Sequence, residues 1–141
     1  MAASATVGEV MAKALVTSPS TATLAEVAGL MRDRDVGDVV VNDGEELIGI
    51  VTDRDIVVRC IAEGVDPTEA TVVAACTEDL VSVGPDATVE DAARIMREHA
   101  VRRLPVVEDG RAVGIVSIGD LAVEQDPTSA LADISAQRPN R

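Results

Sequence analysis

The sequence predicts a mixed α/β (α+β) fold built from two β-α-β-β-α copies. Three observations support this. First, Gly49-Ile50-Val51-Thr52-Asp53-Arg54-Asp55 recurs as Gly114-Ile115-Val116-Ser117-Ile118-Gly119-Asp120. The offset is 65 positions and holds without a gap back to Val7 and Val72. Self-similarity at a fixed spacing marks a duplicated structural unit. Second, each copy alternates helical apolar spacing with short β-branched runs. Third, 47% of the 141 residues are hydrophobic, yet Phe, Tyr and Trp are absent. A core of Val, Ala, Ile, Leu and Met suits strands packed on helices. One copy exposes a sheet face too apolar for water. Two are therefore expected to pack sheet to sheet as a pseudo-two-fold pair, helices outside.

The elements follow in order. Residues 1–6 are small and polar and are expected to fray. A short helix is predicted over Val7–Ala12, then a brief strand at Ala14–Thr17 stopped by Ser18-Pro19-Ser20. Thr23 and Glu26 have the spacing of a capping box. Leu24, Val27, Ala28 and Met31 follow at helical spacing, to about Arg34. Val39-Val40-Val41 reads as a buried strand, Asn42-Asp43-Gly44 as a hairpin turn and Leu47–Val51 as the return. Thr52 caps a helix over Asp53–Glu63, with Gly64 near its end and Pro67 beyond. The second copy repeats this: a strand at Leu80–Val83, a turn at Gly84-Pro85-Asp86, and a helix capped by Thr88 with Val89, Ala92, Ala93 and Met96 inward. A strand at Leu104–Val107, a turn at Glu108-Asp109-Gly110, a return at Ala112–Val116 and a helix capped by Ser117 complete it. The repeats span 7–65 and 72–124, and 125–141 form a C-terminal tail with one helical turn at Ala130–Ile134.

Composition excludes several functions. The formal charge is −13, which repels phosphate backbones, so neither DNA nor RNA is expected as the main partner. Without aromatic rings there is no platform for stacking single-stranded bases. No apolar run approaches the roughly 18 residues of a membrane span, and no leader is evident, so a cytoplasmic location is expected. Cys60 and Cys76 lack metal-ligand spacing; they read as small buried hydrophobes, with a redox or disulfide role as the alternative. No metal site and no cofactor are expected. The single histidine, His99, sits at a predicted helix end, where it serves the helix dipole. No nucleophile–base pair or P-loop is present, so no catalytic residue is assigned and no enzyme is expected.

The ending of each copy carries two readings. Thr52 with Asp55, and Ser117 with Asp120, are good helix starts. The same geometry also presents amides, a hydroxyl and a positive dipole end to one point, which suits a phosphate. An aspartate one turn on can accept from the two hydroxyls of a ribose. Gly49 and Gly114 would allow close backbone approach. Arg102-Arg103 reads either as a solvated face or as a phosphate-neutralising pair. The first copy has Gly37-Asp38 there, so the two junctions are unequal.

These residues resemble a known family. Two β-α-β-β-α copies, each ending Gly-Ile-Val-Thr/Ser-x-x-Asp, resemble a tandem pair of CBS domains, or Bateman module, from about Val7 to Val123. Val101–Val107 and Gly114–Asp120 match the family's second-strand and terminal motifs. Thr52–Val57 with Ala62–Pro67 is similar to a stand-alone bacterial subgroup that includes an actinobacterial hypoxic response protein. The resemblance implies regulatory binding of AMP, ADP, ATP or S-adenosylmethionine in clefts between the repeats. It places Asp120 on ribose and Ser117, Gly119 and Arg103 around phosphate, completed by Thr23 and Ala28, with Val36 and Gly37 beside the base. A second site would use Thr52, Arg54 and Asp55, with Thr88, Ala93, Val101 and Arg102. The family commonly dimerises, so the resemblance implies a homodimer; the extent of the repeats leaves no catalytic or transport domain expected in cis, and an unidentified protein effector in trans is the expected partner. The alternative is a dimeric interaction or structural protein that binds no small ligand.

Overall fold

The computed structural model describes residues 5–78 and 80–125. The expected turn at Ala130–Ile134, the tail beyond 125 and residues 1–4 lie outside the described residues. Chain order is α1 (Val7–Val10), β1 (Thr17–Pro19), α2 (Leu24–Arg34), β2 (Asp38–Asp43), β3 (Glu46–Thr52), α3 (Asp53–Ile56), α4 (Val89–His99), β4 (Arg103–Glu108), β5 (Arg111–Ser117) and α5 (Ile118–Gln125). The fold is mixed α+β, with β1-β2-β3 in one sheet and β4-β5 in the other.

The described residues divide into two compact units, one within residues 15–80 and one joining residues 5–14 to residues 81–125. Residues 72–80, which open the second repeat in sequence, thus pack with the first. Val7, Val72, Leu24 and Leu104 are fully or almost fully buried. Each unit has its own aliphatic core. One gathers Val27, Met31, Val39, Val41, Val51, Cys60 and Val72, the other Val7, Val89, Ala92, Met96, Val106, Val116 and Leu121.

The N-terminal residues are tied down from Ala5 on, against the expectation of fraying to residue 6. The Val89 amide donates to the Ala5 carbonyl at 3.0 Å, and Val7 donates to Ala87 at 2.8 Å. Met11 and Ala12 then run along β5, where Ala12 and Ile115 exchange backbone hydrogen bonds. Thr77 does the same with Ile50 in the other unit.

The leading strands differ from expectation. In the first copy the strand lies at Thr17–Pro19, later than Ala14–Thr17, and pairs in parallel with β2. Ser18 and Pro19 extend it because β1 is an edge strand, where proline is tolerated. In the second copy the expected strand at Leu80–Val83 shrinks to one bridge, Val83 with Val106. Two prolines explain this. Val40 donates to Val16, and Ser20 donates to Asn42, at 2.9 Å each. The equivalents of the donors are Pro105 and Pro85, which have no N–H to give.

The hairpins are close to expectation. The first turns at Gly44-Glu45, one residue later than predicted. The second turns at Asp109-Gly110, both with positive φ (54° and 79°), the twist that suits a two-residue hairpin. Helices α2 and α4 both stop at a left-handed residue, Asp35 (φ 56°) and Ala100 (φ 53°), again 65 positions apart.

The helix expected over Asp53–Glu63 is α-helical only to Ile56 and continues as a wider π turn over Val57–Ile61. Ala62 donates to Val57 at 2.8 Å, and Val65 donates to Cys60 at 3.0 Å. The wide turn carries Cys60 into the core, where its thiol meets the Val65 carbonyl at 3.3 Å.

Candidate strand–helix junction site

At the end of each hairpin, the returning strand runs into a helix through a hydroxyl residue. Ser117 donates its amide to the Asp120 carboxylate at 2.8 Å, and Asp120 returns its amide to the Ser117 hydroxyl at 3.2 Å. Thr52 and Asp55 make the same reciprocal pair at 2.9 and 3.1 Å. Thr88 and Asp91 form a third at the start of α4. Thr23 does only half of this: its hydroxyl accepts from Glu26 at 3.1 Å, and no return bond from the Glu26 side chain accompanies it. The capping reading of these residues is therefore structural fact. It leaves ligand chemistry open, because a carboxylate holding one amide keeps further lone pairs.

The surroundings of the two junctions have opposite charge. Arg103 stands directly opposite Ser117 in the β4–β5 ladder, whereas Asp38 stands opposite Thr52 in the β2–β3 ladder. The Arg102 carbonyl accepts from Ile118 at 2.8 Å, which fixes the backbone of the arginine pair beside the start of α5. In the first copy Gly37 accepts from Asp53 at 3.0 Å. A Cβ on Gly37 would lie 3.3 Å from the Asp53 carboxylate.

The remaining predicted residues are distributed as follows. Arg103, Ser117, Gly119 and Asp120 share one junction, Gly119 buried beneath it. Thr52, Arg54 and Asp55 share the other, Arg54 exposed. Thr23 caps α2, Ala28 lies exposed on that helix, and Val36 and Gly37 lie between α2 and β2. Thr88 caps α4. Ala93 and Val101 line a cavity of about 400 Å³ between α4 and α5, together with Met96, Ile118, Leu121 and Ala122. Of these, Ile118 occupies an unspecified position in Ser-x-x-Asp, so the sequence reading passed over it.

Gly49 and Gly114 serve the chain itself. A Cβ on Gly49 would sit 2.7 Å from the Thr77 carbonyl and 3.0 Å from the Cys76 sulfur. One on Gly114 would strike Met11 and the Ala12 carbonyl. The close approach anticipated there is thus made by the chain's own crossing segments. Cys76 is a free, buried thiol. Burial pushes its pKa up, with the carboxylates of Glu78 and Asp55 adding to the effect. Among the described residues no three His, Cys, Asp or Glu side chains gather as a metal ion would require, and no helix is long and apolar enough to cross a membrane.

A duplicated β-α-β-β-α unit whose copies each end in a hydroxyl–aspartate helix start defines a class of paired α+β modules. The CBS domain pattern matches residues 7–61 and 72–125, and the chain belongs to the CBS-domain family. It is 39% identical over 135 residues to the CBS domain-containing protein YhcV of Bacillus subtilis, covering 93% of this chain and 96% of that one. Hypoxic response protein 1 of Mycobacterium tuberculosis is 39% identical over 101 residues, 71% of each chain. A solved structure of Hypoxic Response Protein I, holding two coordinated zinc ions, matches with a TM-score of 0.75 and 34% identity over 83% of this chain and 96% of that one. A hexameric CBS-CP12 protein from bloom-forming cyanobacteria matches with a TM-score of 0.78 and 28% identity, over all of this chain and 79% of that one. The CBS-domain pair is generally regulatory and nucleotide-sensing.

Proposed function

We propose that this chain is a regulatory sensor of an adenosine-containing nucleotide, AMP, ADP or ATP, with its phosphate end at the start of α5. The observation that carries this reading is the placement of Arg103 opposite Ser117. It puts a cation beside a helix N-terminus in a protein of net charge −13, and both features favour an anion. Asp120, with acceptor capacity beyond its Ser117 bond, would take the ribose hydroxyls. Family membership supplies the adenosine. S-adenosylmethionine, which has no phosphate, would leave the arginine pair unused and ranks below the nucleotides.

Isothermal titration with AMP, ADP, ATP and S-adenosylmethionine tests the reading. Saturable heat with at least one nucleotide, lost in Asp120→Ala while the fold persists, is expected. Absence of heat with all four at high protein concentration would reject it. The sensor is proposed to act as a homodimer on a protein effector. The exposed Val57, Ile61, Ile118 and Val123 and the self-association of a solved relative support this. Light scattering of the purified chain decides it, with a monomer at high concentration as the contrary result.

A further inference from the structure

We propose that the segment following α5 folds back on its own unit, with Leu131 and Ile134 seated in the cavity between α4 and α5 and Asp133 against Arg97. The cavity, of about 400 Å³, is walled by Ala93, Met96, Val101, Ile118 and Leu121 among others. An aliphatic wall around a space of this size favours an apolar occupant. Among the described residues that line it, Arg97 alone carries a charge. The ion pairs of α4 among the described residues join Arg94 to Asp91 and Glu98, and neither takes Arg97. An occupant with large aliphatic side chains and a carboxylate beside them therefore matches this site.

The chain supplies such an occupant beside the cavity. Leu131 and Ile134 are the large aliphatic residues of positions 126–141, and Asp133 lies between them. In the helical turn read from the sequence over Ala130–Ile134, Leu131 and Ile134 share a face. Pro127 disfavours helical backbone at Asp126, which favours a change of direction just past Gln125, the last residue of α5. The eight residues of α5 span about 12 Å. The six steps from Gln125 to Leu131 reach up to about 20 Å, enough to return along the whole helix. So short a tether gives an effective concentration in the millimolar range, and even a weak contact is then populated. The docked segment would cover Ile118, which is 45% exposed, and a second copy of the chain would compete for the same wall.

The experiment is methyl NMR of the full chain with labelled methionine, leucine and isoleucine. Met96 supplies a methyl on the cavity wall, and Met31 serves as a control in the core of the other unit. Nuclear Overhauser contacts from the Met96 methyl to Leu131 or Ile134 are expected, unchanged on dilution. Leu131→Ser combined with Ile134→Ser is expected to shift the Met96 signal and leave that of Met31 in place, with thermal melting to check the fold. Arg97→Glu is expected to weaken docking about twofold to fivefold, the range for an exposed ion pair, and Asp133→Arg on that background to restore it. No contact from Met96 to either residue, or a Met96 signal indifferent to the serine substitutions, overturns the proposal. Contacts seen only between differently labelled chains in a mixed sample overturn it as well and give the cavity to a second copy. Arg97→Glu that docks as wild type does overturns the pairing with Asp133.

Discussion

Arg103 and Ser117 are paired residues of one antiparallel ladder, so the guanidinium-bearing residue and the helix-capping hydroxyl are held in register by backbone rather than by a mobile loop. Arg103→Ala is expected to weaken ATP binding by about tenfold to a hundredfold, the range for losing a charge-assisted hydrogen bond, and to leave adenosine nearly unaffected. Titration at low and high salt checks it. An equal loss for both ligands would place Arg103 away from the phosphate.

Asp120 and Asp91 make like capping pairs, with Ser117 and Thr88. Replacing either by alanine is expected to lower stability by about 1 kcal/mol. Only Asp120→Ala is expected to abolish nucleotide binding. Urea midpoints and titration heats, measured on both variants, separate the cap from the ligand contact.

Ala100 closes α4 in the left-handed region at φ 53°, a conformation that costs an L-residue with a Cβ about 1 kcal/mol and glycine almost nothing. Ala100→Gly is expected to raise stability by about that amount. An unchanged or lower urea midpoint would be the contrary result.

Cys76 has its pKa raised above the ordinary 9.0 by burial. The folded state holds its proton longer than the unfolded chain does. This contribution to stability is present below the ordinary value and is lost as pH rises through the folded value. Between about pH 8 and about pH 10 the wild type is therefore expected to lose more stability than Cys76→Ala. Parallel slopes in the two proteins would show that the thiol does not titrate differently on unfolding.

Val7 is fully buried in the core of the unit that contains α4, β4, β5 and α5. Val7→Ala is expected to cost about 2 kcal/mol through lost burial and the cavity left behind. Hydrogen exchange is expected to rise most in β4 and β5. Loss of protection mainly in β2 and β3 would contradict the assignment of this segment.

Much of this was legible in the sequence because it depends on local chemistry. Thr52, Thr88 and Ser117 cap the helices they were read to cap, and the hairpins turn within a residue of their glycines. The leading strand of the second copy was misread because Leu80–Val83 has the right apolar pattern, while Pro85 and Pro105 remove donors for the strand ladder. That is a pairing property, invisible within the segment. Gly49 and Gly114 were credited to a ligand because sequence shows that room exists but not who fills it. The bond from the Arg54 amide to the Asp53 carboxylate, at 2.8 Å, was hidden for the same reason: Asp53 occupies an unspecified position in Thr-x-x-Asp.

The discontinuous unit has a consequence for biosynthesis. Residues 15–80 form one unit from continuous chain, so that unit can close as soon as its last strand and crossing segment have left the ribosome. The other draws on residues 5–14 and 81–125. Its first piece precedes the continuous unit in the chain and must wait for α4, β4, β5 and α5 before Val7 can be covered. The nascent chain thus carries an exposed apolar segment at Val7 until β4, β5 and α5 have been made.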